Sequence, residues 1–365
     1  MACKLGFGLM RLPRLEDGSI DIEQGKEMAD YFLANGGTYF DTAFVYEGSE
    51  EATRKILVER YPRDSYTLAS KINARVAKSA EDARAQLATS LERTGAGYFD
   101  YYLLHAMNAE NRITYRDYGL WEFVAEQKEK GLIRHMGFSF HDKPEVLEEI
   151  LTKHPEAEFV QLQINYADMD NPDVQSEANL AVARKFGKPV VVMEPVKGGL
   201  LAAPIQEVRD IFTAVSPDAS PASWAIRFVA SQEGILTVLS GMSDLAQVED
   251  NVSFMKKFKP LNKEELAAIA KAQEILKTQK TVPCTACRYC VEGCPMGIPI
   301  PDIFKSLNRL IVFNDEKGAR WRYGRAVEGK GKASDCIGCG ACESTCPQQL
   351  SIRDLLADAA KQLEE

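Results

Sequence analysis

The 365-residue sequence predicts an α/β protein, a (β/α)8 TIM barrel followed by a small α-helical domain. Two observations predict it. Over the first ~260 residues, short apolar stretches alternate eight times with amphipathic ones. The final segment then concentrates eight of the nine cysteines in two runs of identical spacing. The expected division is a barrel over 1–259, a helix and linker over 260–280, and a cysteine-bearing domain over 281–365.

In chain order, strands are expected around Gly6–Leu12, Thr38–Ala43, Ser65–Lys71, Phe99–His105, Ile133–Ser139, Phe159–Asn165, Pro189–Glu194 and Ile235–Gly241. Helices are expected over Ile22–Asn35, Ser79–Arg93, Leu120–Lys130, Lys143–Lys153, Val174–Phe186, Pro221–Gln232 and Leu245–Phe258. Glycine or proline marks many joins, among them Gly36-Gly37, Gly131, Gly187-Lys188-Pro189 and Gly234. A doubly wound open sheet is the competing architecture. It should carry G-x-G-x-x-G after the first strand, and Gly6-Phe7-Gly8 does not continue that way.

Barrel enzymes react at the C-terminal ends of their strands, so polar residues there are the ones to question. The second strand ends at Asp41, with Tyr46 in the loop beyond; the third ends at Lys71 and the fourth at His105. Singly, each has a bland reading: a cap, a rim phenol, a solvated amine, a packed imidazole. On three successive strand ends they form one constellation. A tyrosine of pKa ~10 is a weak proton donor, and a neighbouring ammonium strengthens it. Lys71 would be that neighbour, held by Asp41. His141, just past the fifth strand, is a candidate for the substrate pocket, whereas His135 and His154 read as structural or exposed.

Cys284, Cys287, Cys290 and Cys294 are separated by two, two and three residues, and Pro295 follows; Cys336, Cys339, Cys342, Cys346 and Pro347 repeat the pattern. This is the cluster-binding run of bacterial ferredoxins, written twice. Three thiolates of each run serve one [4Fe–4S] cluster and the fourth serves the other. Cys284, Cys287 and Cys290 therefore pair with Cys346, and Cys336, Cys339 and Cys342 with Cys294. Zinc knuckles and disulfides fit a doubled run with trailing prolines poorly. Helical spacing over Ile300–Phe313 and Ile352–Leu363 completes a small α-helical ferredoxin-like domain binding two [4Fe–4S] clusters. Between the runs lie Lys317, Arg320, Arg322, Arg325, Lys330 and Lys332, with Trp321 and Tyr323 interleaved. This stretch reads as a solvated loop or as a docking patch for an acidic electron carrier such as a ferredoxin or flavodoxin.

The chain resembles the aldo/keto reductase superfamily over roughly residues 5–257. The resemblance rests on Gly6-Phe7-Gly8-Leu9-Met10-Arg11-Leu12-Pro13, Phe40-Asp41-Thr42-Ala43 with Tyr46, Ala69-Ser70-Lys71 and Asp100-Tyr101-Tyr102-Leu103-Leu104-His105. Gly137-Phe138-Ser139, Gln163-Ile164-Asn165-Tyr166 and Leu239-Ser240-Gly241 extend it. The whole chain is similar to the branch that carries a C-terminal ferredoxin-type domain. The resemblance implies a carbonyl–alcohol oxidoreductase with Asp41, Tyr46, Lys71 and His105 as its catalytic tetrad. Carbonyl reduction needs a hydride to carbon and a proton to oxygen; Tyr46 would give the proton, and His105 would donate to or orient the substrate oxygen. It also implies that Ser139 and Gln163 hold a nicotinamide carboxamide and that Asn251 belongs to the cofactor pocket. The sequence departs from the family at Phe140, Met193, Gly241 and Gln247, where an asparagine, a stacking tyrosine, a lysine and an arginine are usual. A phosphate site of the general barrel kind is left, at Lys197, Gly198 and Gly199 and at Ser240, Gly241, Met242 and Ser243.

The two-electron carrier is left open between NAD(P)H and FMN. A nicotinamide passes electrons in pairs and a cubane cluster accepts one; a flavin does both. Clusters that merely staple a small domain are the bland alternative. The expected substrate is a small carbonyl or alcohol. A non-catalytic redox adaptor is the reading from a different class. A net charge of −9 argues against nucleic acid, and no run of eighteen apolar residues suggests a membrane span. Met1 to Gly6 lacks a basic then apolar leader, and Cys3 reads as a small apolar filler. Thiols committed to clusters suggest a reducing, cytoplasmic setting.

Overall fold

The computed structural model describes residues 3–172, 174–278, 281–313 and 316–364. Of the expected segments, residues 1–2, 279–280 and 365 lie outside the described residues. Two compact units are present, Met1–Pro195 with Asp218–Leu266, and Val196–Pro217 with Ala267–Glu365.

In the first unit, among the described residues, eight parallel strands close into a barrel in chain order. They are β1 (Leu5–Gly8), β2 (Tyr39–Asp41), β3 (Thr67–Ile72), β4 (Phe99–Met107), β5 (Ile133–Phe140), β6 (Phe159–Gln163), β7 (Val190–Met193) and β8 (Ile235–Ser240). Strands covered on both faces read as continuous apolar runs, as Val190–Met193 does. Tyr39, Ala69, Leu103, Phe159, Val191 and Leu239 fill one layer of the interior. The outer helices have ordinary boundary signals. Asp21 caps Ile22–Ala34, and Ser79 caps Ala80–Thr94, which Gly95 ends at φ 66°.

Two expectations are corrected. The strand expected over Gly6–Leu12 stops at Gly8 and winds into a 3-10 turn, Leu9–Arg11. There the Leu9 carbonyl accepts from the Ser49 hydroxyl (3.0 Å) instead of from a strand. The basic stretch read as a loop contains a helix, Glu316–Val327, because Ala319 and Tyr323 are buried in the second unit's core. Trp321 is left on its outside, 66% exposed.

The core of the second unit is formed by Ile303, Phe304 and Leu307 of the helix Ile300–Phe313 with Ile352 and Leu356 of Ile352–Leu363, and Cys290 and Cys342 are buried in it. The segment that leaves β7, Val196–Pro217, belongs to this unit. A Cβ on its Gly198 (φ 63°) would stand 2.6 Å from Thr285 Cα, so glycine is required there on both counts.

Candidate active site and cysteine cradles

Strand register assembles the barrel site. Asp41 ends β2 opposite Ala69 of β3, and two residues on, Lys71 faces Leu103 of β4. The Lys71 ammonium donates to Asp41 Oδ1 (2.5 Å) and to the Thr42 carbonyl (2.7 Å), and lies 3.4 Å from Tyr46 Oη. It also stands 4.7 Å from the centre of the Tyr46 ring. The His105 ring meets Tyr46 edge-on at 5.7 Å. The structure thus brings all four expected residues together. Asp41, Lys71 and His105 are buried and Tyr46 is half-buried.

Burial dominates the electrostatics here. It pushes the Asp41 carboxyl up and the Lys71 ammonium down, against their mutual attraction. The buried lysine is therefore a better acid than it is in water. Burial, then the Lys71 charge, holds His105 well below the ordinary imidazole value, so its ring is neutral at physiological pH. Burial and the Arg75 charge bring His141 down to about 4. His135 pairs with Glu158 at 3.5 Å, and His154 stacks on Trp121 at 4.0 Å.

Several supporting residues left no signal in the sequence. The Tyr115 hydroxyl donates to the His105 carbonyl (2.6 Å) and accepts from Ala74 N–H (3.3 Å), tying the end of β4 to β3. Ala106 has a left-handed φ of 54° in a bulge, and its N–H donates to Ser139 Oγ (2.6 Å). Ser139 thus holds the backbone just beyond His105. Glu50 is a second buried carboxylate behind Lys71; Ser70 Oγ donates to it (2.8 Å), and its charge favours the protonated lysine.

The other candidate cofactor residues are also engaged. Gln163 donates to Asp168 (3.1 Å), which also accepts from Asn165 (2.7 Å). Asn251 donates to Ser240 Oγ (3.0 Å), and Met242 is buried. After β8 the helix Leu245–Met255 is capped from within. Asp244 accepts from Gln247 N–H (2.8 Å), and Gln247 Oε1 accepts from Ser243 N–H (3.0 Å). Gly241 lies under Arg11, whose Cδ would be 3.0 Å from a Cβ there. Arg11 thus brings to that loop a cation that positions 241 and 247 lack, and it pairs with Glu194 at 3.8 Å. Met193 ends β7, while Lys197, Gly198 and Gly199 form a 3-10 turn in the second unit and Ser240–Ser243 belong to the first.

The cysteines gather around two small pockets. One is lined by Cys284, Cys287, Cys290 and Cys346, the other by Cys336, Cys339, Cys342 and Cys294. Each cavity takes three residues from one run and the fourth from the other, as the crossed pairing expects. Their walls are otherwise largely apolar, with Ile300 shared by both. Among the described residues, no three His, Cys, Asp or Glu side chains converge on a single-ion site. Thiolates spread around a cavity are what a multi-atom cluster needs, so these residues fit [4Fe–4S] groups. No helix among the described residues is long and apolar enough to cross a membrane.

Comparison with known proteins agrees with this geometry. Residues 4–274 match the aldo/keto reductase family, and residues 283–350 match the 4Fe-4S dicluster domain. The chain is 25% identical over 314 residues to aldo-keto reductase str7 of Strobilurus tenacellus, covering 75% of this chain and 90% of that one. It is 24% identical over 309 residues to the uncharacterized oxidoreductase YqkF of Bacillus subtilis, covering 76% and 95%. Among solved structures, the holo form of aldo-keto reductase AKR11C1 from Bacillus halodurans matches with TM-score 0.59 and 26% identity over 73% of this chain and 91% of that one. An aldo-keto reductase from Klebsiella pneumoniae in complex with NADPH matches in fold, with TM-score 0.61 and 20% identity over 74% and 90%. A closed eight-stranded barrel, matched by the family over residues 4–274, thus places the chain in the aldo/keto reductase family, as an oxidoreductase with a C-terminal 4Fe-4S dicluster domain.

Proposed function

We propose that this protein interconverts a small carbonyl compound and its alcohol at Asp41, Tyr46, Lys71 and His105, with electrons linked to two [4Fe–4S] clusters. One observation carries the reading: a fully buried lysine lies between a carboxylate and a tyrosine hydroxyl. Burying an amine is expensive unless it is paired. A redox adaptor would have no use for a buried ammonium held against a phenol. Tyr46 gives its proton to the carbonyl oxygen, or takes one from the alcohol in reverse. Lys71 lowers the cost of the phenolate that results, and Asp41 and the Thr42 carbonyl keep the amine aimed at it. Neutral His105 donates to the same oxygen and orients it.

A nicotinamide or flavin held by the barrel would supply the hydride. NADPH in the Klebsiella pneumoniae relative supports a nicotinamide. Electron counting supports FMN, since the clusters take electrons singly. The cysteine cradles would hold the clusters, whose partner on this reading is a small acidic electron carrier. Thiols committed in this way suit a reducing compartment such as the cytoplasm.

The test is turnover of small aldehydes and ketones by anaerobically prepared, cluster-loaded protein. Tyr46→Phe and Lys71→Met should each lower kcat by ~10²-fold or more with iron content unchanged. Wild-type rates in both variants, at saturating substrate, would hand the function to the adaptor reading.

A further inference from the structure

The two cradles are unequally covered. At the first, Thr285, Gln348 and Phe304 are all buried, and Gly198 lies against Thr285. At the second, Cys339 is exposed, and the rim residues Ile337 and Met296 are 64% and 39% exposed. Two large apolar side chains on the open rim of one cavity suggest a surface that a partner covers.

Charge points to the partner's chemistry. Residues 316–332 carry the cations Lys317, Arg320, Arg322, Arg325, Lys330 and Lys332 against only Glu316 and Glu328, in a chain of net charge −9. Arg320 is tied to Glu316 at 2.9 Å, but Lys330 and Lys332 are exposed. Gly331 between them packs on the rim. Its N–H reaches the Gly297 carbonyl at 3.4 Å, and a Cβ there would strike the Met296 carbonyl at 2.2 Å. The two lysines are thus the chain neighbours of the glycine that packs on the Met296 backbone. Positive charge concentrated beside an exposed apolar rim, on an otherwise acidic protein, complements an acidic surface.

We propose that the second cradle is the electron port: a small acidic one-electron carrier protein docks on Met296, Ile337, Lys330 and Lys332. It exchanges a single electron with the cluster held by Cys294, Cys336, Cys339 and Cys342. One electron leaves the reduced carrier and enters the oxidised cluster, or the reverse, and no bond or proton moves. This deepens the functional reading above and rests on its cluster assignment, not on the tetrad.

The test uses the full, cluster-loaded chain under anaerobic conditions, with a small acidic [2Fe–2S] ferredoxin as the probe. Surface plasmon resonance should show binding that weakens as salt rises. The double variant Lys330→Glu/Lys332→Glu should bind about tenfold more weakly or worse at low salt, with iron content and cluster spectra unchanged. Ile337→Asp should slow the bleaching of the clusters by the reduced ferredoxin in a stopped flow. Lys130→Glu, on the barrel, should do neither. Wild-type affinity in the double variant would overturn the port. So would salt-independent or absent binding, or an equal loss in Lys130→Glu or in Arg288→Glu at the first cradle. Binding arms read the port and Tyr46→Phe turnover reads the barrel, so each can fail alone.

Discussion

The two cysteine runs share one spacing and one backbone path, yet they use different residues to follow it. In the first run Ala286 and Arg288 adopt left-handed conformations, at φ 53° and 67°. In the second, Gly338 and Gly340 occupy the same two steps, at φ 71° and 78°. The ligand spacing thus dictates the turn, whatever residues stand between the cysteines. The residues decide its cost and its cover. A left-handed alanine or arginine costs roughly 1–2 kcal/mol that glycine avoids. In exchange, Arg288 lies at its cavity and pairs with Asp302 at 3.2 Å, whereas the glycines leave Cys339 in solvent. The covered cradle suits holding a cluster, and the bare one suits exchanging electrons through it.

The largest expected effect breaks the symmetry of the runs. Cys294→Ala should remove the cluster of the second cradle, although Cys294 belongs to the first run, and leave about four of eight irons per chain. Its electron paramagnetic resonance spectrum should then match that of Cys339→Ala. A match to Cys287→Ala would mean that each run serves its own cluster. Next in size, Gly338→Ala should place a Cβ in the left-handed region and cost roughly 1–2 kcal/mol, read as an earlier denaturant midpoint for loss of cluster absorbance. Ala286→Gly should move that midpoint the other way by less, about 0.5 kcal/mol, since the strain relieved is partly offset by the greater freedom of the unfolded glycine. Shifts in the same direction would show that the two loops are not equivalent.

Much of this was legible in the sequence, for local reasons. Cluster ligation lives in spacing, and Asp41, Lys71 and His105 fall at strand ends that apolar runs reveal. What could not be read depends on contacts between distant segments. Ser139 holds Ala106 across 33 residues, and Tyr115 holds the His105 carbonyl from a helix expected nowhere in the alternation. The basic stretch looked like a loop because its charges hide the apolar face that Ala319 and Tyr323 bury. Residues 196–217 follow β7 in the chain but fold with the cysteine unit, and Gly198, read from the sequence as part of a phosphate site, packs against Thr285 there.

On the function proposed above, the barrel's hydride chemistry and the clusters form one electron path. Anaerobic titration of cluster-loaded protein with NADH and NADPH, followed by visible absorbance, tests it most directly. The nicotinamide should bleach the clusters, with one two-electron donor consumed for about two clusters. Clusters that stay oxidised while nicotinamide binds, yet bleach at once with dithionite, would contradict it.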